Sequence, residues 1–258
     1  MKAVILAGGL GTRMQELTSL VPKPMVEIGG FPILWHIMKL YEHYGVNDFA
    51  VALGYKSEVV KDYFANYRLR VNSIRVDLAT GEITEEAAHR ERWRVDLVET
   101  GLHTQTGGRI ARLRRYLGDV PFFATYGDGV ADVDVGALLA FHRSHGKIAT
   151  VTAVRPPSRF GALALGEGNE VTSFTEKPVT GDTWISGGFF VFEPGVFGYL
   201  SEDESCILER GPLDALARDG ELAAFRHAGY WQGLDTARDV DAVNRMWEAG
   251  NAPWQVWA

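Results

Sequence analysis

The feature that most constrains this chain is the uninterrupted apolar run Val4-Ile5-Leu6-Ala7, which stops at Gly8-Gly9. A short apolar run without polar alternation, ended by glycines, reads as a strand buried on both faces, and such strands belong to parallel sheets with helices on each side. The segments that follow agree. From Pro32 through Tyr44 the residues Ile33, Leu34, Ile37, Met38, Leu40 and Tyr41 recur at helical spacing, with Gly45 where a C-terminal cap belongs. Phe49-Ala50-Val51-Ala52-Leu53 predicts a second buried strand and closes a strand, helix, strand unit. Later, Phe122 to Tyr126 predicts a strand, Val135 to His145 a helix and Ala149 to Val154 another strand. The expected fold class is α/β, a mainly parallel sheet flanked by helices.

Two stretches depart from that frame. Residues 71 to 100 alternate apolar and polar (Ile74, Val76, Leu78, then Val95, Leu97) around Thr80-Gly81, which predicts an antiparallel hairpin inserted beside the main sheet. The aromatic tail, with Trp247, Trp254 and Trp257 near Pro253, fits either a C-terminal helix packed on the body or a subunit contact in a homo-oligomer. No repeat or low-complexity linker divides the 258 residues, so a single domain spanning 1–258 is expected.

Composition narrows the partners. A net charge of -7 lacks the basic footprint of a general nucleic-acid or membrane-surface binder, yet permits a small anionic ligand held by a few local cations. Cys206 is the only cysteine, which excludes an intrachain disulfide and a Cys-based metal site and suits a reducing compartment. The opening run is too short for a signal-peptide core or a membrane span, so a cytoplasmic protein is expected.

Four elements bear chemistry. Gly8-Gly9-Leu10-Gly11-Thr12-Arg13 directly follows the first predicted strand; glycine there lets backbone N–H groups approach a phosphate, and Arg13 adds a permanent cation. A dinucleotide fingerprint fails because Met14 stands where glycine or alanine is needed, and a P-loop fails because Ile148 follows Gly146-Lys147. A glycine-rich turn alone is more often a plain strand-to-helix connection than a ligand loop. In Pro22-Lys23-Pro24-Met25 the flanking prolines predict an extended, stiff backbone that presents Lys23, either to solvent or to a transferring phosphoryl group. Tyr126-Gly127-Asp128-Gly129 ends a predicted strand, at the sheet edge where α/β proteins bind ligands; it is either an Asp-Gly turn or a metal carboxylate, with Asp235 a distant partner in sequence. Finally, Glu176-Lys177-Pro178 offers a hydroxyl acceptor and a phosphate cation, and Gly187-Gly188 opens an aromatic strand that a ring-shaped ligand could approach.

In this order the four elements resemble the sugar-phosphate nucleotidyltransferase family, whose pattern is a G-G-x-G-T-R loop, a P-K-P-x segment, a G-D element, an E-K-P and a G-G-x-x element. The resemblance covers nearly the whole chain. Within the family, the runs Lys23 to Gly30, Pro32 to Met38, Tyr55-Lys56, Tyr63 to Tyr67, Thr106 to Arg109, Thr125 to Asp132 and Arg159 to Leu163 resemble the cytidylyltransferases that act on glucose 1-phosphate.

The resemblance implies a Rossmann-like fold of the nucleotide-diphospho-sugar transferase type. It implies an Mg²⁺-dependent enzyme joining CTP and α-D-glucose 1-phosphate into CDP-glucose and pyrophosphate, feeding deoxysugar and surface polysaccharide biosynthesis. Leu6, Ala7, Gly8, Gly9, Leu10 and Gly11 would line the nucleotide, with Thr12, Arg13 and Lys23 on its phosphates and Thr104, Arg109 and Gly127 beside it. Tyr126, Glu176, Lys177 and Gly188 would meet the sugar phosphate, and Asp128 and Asp235 the Mg²⁺. Arg13, Lys23 and Asp128 would be catalytic. The attacking phosphate is already anionic, so no protein nucleophile or general base is expected, and His36, His43, His142 and His145 read as structural or surface residues. Leu102-His103-Thr104-Gln105 departs from the family's usual string. Two alternatives stand beside this reading: a related transferase with another nucleotide or acceptor, and a nucleotide-binding protein without turnover.

Overall fold

The computed structural model describes residues 1–11, 18–86, 91–155, 162–165, 170–175 and 183–257, with the side chains of 162–165 and 174–175 excepted. Thr12, Arg13, Glu176, Lys177 and the Arg159 to Gly161 part of the family-like runs lie outside the described residues.

The predicted buried run is strand β1 (Ala3–Leu6), and it lies near the middle of a seven-stranded sheet. The other members are β2 (Asp48–Leu53), β3 (Arg94–Glu99), β4 (Phe122–Tyr126), β5 (Ala149–Val154), β6 (Ile185–Phe192) and β7 (Leu222–Arg226), in the order β7-β5-β6-β4-β1-β2-β3. All neighbouring pairs are parallel except the two made by β6, which runs against β4 and β5. Successive residues of one strand enter opposite cores. Ile5, Phe49, Val51, Phe123 and Val191 pack on one face, whereas Val4, Ala50, Ala52, Phe122, Ala124 and Phe190 pack on the other. That two-sided burial is why these strands read as continuous apolar runs.

Helix α1 (Ile33–His43) covers the first core with Ile33, Leu34, Ile37, Met38, Leu40 and Tyr41, all buried. Helices α2 (Ser57–Ala65), α3 (Thr106–Arg112), α4 (Val135–His145) and α5 (Ala237–Glu248) complete the elements that position the site. Asp134 caps α4, accepting from Ala137 N at 2.7 Å, and Thr236 with Asp239 forms a capping box on α5.

The hairpin prediction is half corrected. Strands Ser73–Val76 and Ile83–Glu86 do form an antiparallel pair outside the main sheet, but Arg94–Glu99 is β3, parallel to β2 at the sheet edge. Val95 and Leu97 pack towards one core and Val98 towards the other, but the polar Arg94 and Asp96 make the sequence of this edge strand alternate as a hairpin arm would. The tail is a packing element at Trp254, which is 1% exposed, stacks on Tyr230 and donates from Nε1 to His36 Nδ1 at 3.3 Å. No helix among the described residues is long and apolar enough to cross a membrane.

Candidate active site

After β1 the chain turns to pair β2 and β3 on one side, then returns to β4 on the other. The carboxyl ends of β1 and β4 therefore flank the point where strand order reverses, the place where open α/β sheets bind ligands. A cavity of about 300 Å³ opens there. Leu6 to Gly9 and Gly11 line it, together with Lys23, Pro24, Thr104 to Thr106, Arg109, Tyr126 to Asp128 and Asp235. Leu10 is exposed at 45% and stands apart from that lining.

Glycine is required in the floor. A Cβ on Gly8 would lie 2.1 Å from the Arg109 guanidinium, and one on Gly127 would lie 2.8 Å from the Leu6 carbonyl. Arg109 is 4% exposed, and its guanidinium donates to the carbonyls of Gly8 (2.9 Å), Leu53 (2.8 Å) and Gly101 (2.8 Å) and to Thr100 Oγ1 (2.7 Å). Burial, with Arg112 nearby, brings its pKa down to about 10, so it remains a cation at neutral pH. Arg109 thus holds the glycine turn from beneath while adding positive potential to the cavity. Thr104 is buried too, its Oγ1 accepting from Arg112 at 2.7 Å.

Lys23 meets both aspartates. Its ammonium donates to Asp128 Oδ2 at 2.8 Å and to Asp235 Oδ1 at 2.9 Å. Burial alone would push this ammonium's pKa down; the two carboxylates outweigh it and hold the value above that of an ordinary lysine. The aspartates reach one place because Gly129–Ala131 pairs antiparallel with Trp231–Gly233, placing Gly129 opposite Gly233, and because Leu234 N donates to the Asp128 carbonyl at 2.9 Å. The extended backbone expected at Lys23 is corrected. Lys23–Met25 forms a single 3-10 turn, closed by Met25 N to the Pro22 carbonyl at 2.8 Å. Pro24 fits the first turn because no donor is needed there.

Two carboxylates beside a phosphate-sized cavity form a hard oxygen donor set, which suits Mg²⁺ with phosphate and water as its remaining ligands. Among the described residues no third histidine, cysteine or carboxylate joins them as a metal cluster.

Tyr126 stands on the sugar-phosphate side of that expectation. Its ring lies against Gly188, where φ is +76° and a Cβ would come within 2.3 Å of Tyr126 Cδ2. Gly188 therefore acts beneath the tyrosine, outside the cavity lining. The Tyr126 hydroxyl donates to Glu209, whose other carboxylate oxygen accepts from Thr106 Oγ1 at 2.7 Å. Burial, then Glu209, pushes the phenol pKa upward and keeps it a donor.

Sequence reasoning missed Pro24, Gln105 and Thr106 in the lining, and Glu209 behind it. For Thr106 a signal existed, since Thr106-Gly107-Gly108-Arg109 opens a helix. For Glu209 nothing in its neighbours marks a site.

The family described as nucleotidyl transferase matches residues 2–249 of the chain. The glucose-1-phosphate cytidylyltransferase of Salmonella typhimurium is 50% identical over 258 residues, covering 100% of each chain. The probable glucose-1-phosphate cytidylyltransferase of Bacillus subtilis is 48% identical over 257 residues, also covering 100% of each. Among solved structures, HddC from Yersinia pseudotuberculosis complexed with GMP-PN superposes with a TM-score of 0.68 at 24% identity, covering 95% of this chain and 99% of that one. A UDP-glucose pyrophosphorylase complexed with UDP-glucose gives a TM-score of 0.66 at 16% identity, covering 96% and 98%. Both structures share the fold.

Proposed function

The chain belongs to the nucleotidyl transferase family, and on that premise we propose that it transfers the cytidylyl group of CTP to α-D-glucose 1-phosphate, giving CDP-glucose and pyrophosphate, with residues 1–258 acting as one catalytic unit. The observation that carries this reading is the meeting of Lys23 with Asp128 and Asp235 beside a glycine-floored cavity. The choice of base and acceptor rests on the likeness to the Salmonella and Bacillus enzymes.

A phosphate oxygen of the sugar phosphate attacks the α-phosphorus of CTP in line. The bond from that phosphorus to the bridging oxygen breaks, and its electron pair leaves on pyrophosphate. Backbone N–H groups of Gly8 to Gly11 cradle the triphosphate, while Lys23 and Arg13 offset the charge passing to the leaving group. Asp128 and Asp235 would hold Mg²⁺, which supplies Lewis-acid stabilisation of the phosphoryl oxygens when bound. On the acceptor side, Tyr126, Glu176 and Lys177 orient glucose 1-phosphate, with Gly188 seating Tyr126. The Leu6 carbonyl already accepts from Gly127 N, and the Gly8 carbonyl from Tyr55 N and Arg109. We therefore assign the cytosine amino group to the carbonyls of Ala7 and Gly9.

The test is pyrophosphate release and CDP-glucose formation from CTP and glucose 1-phosphate. The ratio of specificity constants for CTP over UTP should be about tenfold or more, since a buried site that matches one base leaves the other's carbonyl facing an acceptor. A ratio near one, or a preference for UTP or dTTP, removes the base assignment. Lys177→Ala should raise the KM for glucose 1-phosphate far more than that for CTP, by a factor corresponding to about 1.5–3 kcal/mol. Equal rises in both constants would refute its place on the acceptor.

A further inference from the structure

Lys56 is the only non-glycine residue at positive φ among the described residues, at φ 50° and ψ 42°. That left-handed conformation crowds the Cβ of any L-residue, and glycine adopts it freely. A lysine kept there without a side-chain role would be a plain cost. The position is the N-cap of α2, in the short connection that leaves β2 beside the glycine floor.

The bonds around it run to one target. Tyr55 N donates to the Gly8 carbonyl at 3.2 Å, and Tyr55 Oη donates to the Thr18 carbonyl at 3.3 Å. Lys56 Nζ donates to the Ser19 carbonyl and lies 5.4 Å from the centre of the Tyr55 ring. Thr18 Oγ1 donates to the Gly11 carbonyl at 3.0 Å. Gly54 permits the approach, since a Cβ there would lie 2.7 Å from the Gly8 carbonyl. The connection after β2 therefore grips the chain on both sides of the glycine turn, at Gly8 and at Thr18 and Ser19.

We infer that Lys56, with Tyr55, is a positioning residue for the nucleotide: it fixes the Gly8 to Gly11 backbone through Thr18 and Ser19, and its left-handed backbone places the ammonium over that contact. Lys56 lies outside the cavity lining and touches no reacting group. The inference rests on the proposed nucleotide site.

Three variants test it, each assayed for CTP binding by calorimetry, for both Michaelis constants and for thermal midpoint. Lys56→Met should raise the Kd and KM for CTP about fivefold or more, with kcat and the KM for glucose 1-phosphate within about twofold of the parent. Lys56→Arg, which keeps a cation on a long stem, should restore the parent values. Lys56→Gly relieves the backbone strain while removing the ammonium, so it should melt at or above the parent temperature and still show the CTP defect. Parental CTP affinity in Lys56→Met, or a defect that tracks lost thermal stability across the three, overturns the inference. Absence of CTP binding by the parent protein would instead overturn the function on which it rests.

Discussion

At the scale of single residues, the site is a balance of three charges. Lys23 bonds both carboxylates, so any divalent ion held by Asp128 and Asp235 has to take those bonds from the lysine. Removing the ammonium leaves two like charges close together, and a cation relieves that repulsion. Lys23→Met should therefore tighten nucleotide-free Mn²⁺ binding, read by electron paramagnetic resonance, by about tenfold while turnover falls by about 10² or more. Unchanged or weaker Mn²⁺ binding would show that the lysine organises the carboxylates instead of competing for them. Asp128→Asn and Asp235→Asn should each abolish that Mn²⁺ signal and nearly all turnover with the thermal midpoint preserved; full activity of both in chelator would end the metal assignment. Lys23 and Asp128 were each readable as candidates from their own neighbours. Their meeting with Asp235 was implied only by the family resemblance and not by the residues themselves, because a short strand pairing joins them and its three residues carry no periodic signal.

At the scale of elements, the strand that breaks the parallel pattern is the one that seats Tyr126, the residue the proposed function puts on the acceptor side. Because β6 runs antiparallel to β4, its opening residues, not its last ones, stand at the ligand edge, and Gly188 comes to lie under Tyr126. Gly188→Ala should displace the ring, raise the KM for glucose 1-phosphate above that for CTP, and cost about 1–3 kcal/mol of stability from overpacking and a strained φ. Equal effects on both substrates would sever Gly188 from the acceptor side. Strands buried on both faces and helix α1 were legible, the strands as unbroken apolar runs and the helix by the helical spacing of its apolar residues. Strand β3 was not, because the polar and apolar alternation of Arg94-Val95-Asp96-Leu97 is shared by a free hairpin arm. The turn at Lys23 was hidden for another reason. The rule against helical backbone before proline is steric and local, whereas two backbone bonds and packing against Gly127 fix this turn.

At the scale of the whole molecule, the aromatic tail and helix α1 meet at His36, whose Nε2 lies 2.9 Å from the Ile28 carbonyl. Burial lowers the His36 pKa to about 4 from an ordinary value of 6.5, against the ring's own hydrogen bonds to the backbone at Ile28 and Phe31. Above that ordinary value the ring is neutral in both states. As the pH falls towards about 4 the unfolded chain takes up a proton that the folded chain refuses, so stability declines by at most about 3 kcal/mol through this one group. His36→Gln retains an amide donor for Ile28 and should lose less of its thermal midpoint between pH 7 and pH 5 than the parent; an equal loss would assign the acid sensitivity elsewhere. The pairing of Gly129–Ala131 with Trp231–Gly233 bears on how the protein is made. A ribosome must deliver most of the chain before the second carboxylate can reach the first. A nascent chain can close the glycine floor against β4 while Asp235 has yet to reach Lys23 and Asp128, so the three-charge cluster is completed only once residues 231–235 have emerged and paired with residues 129–131.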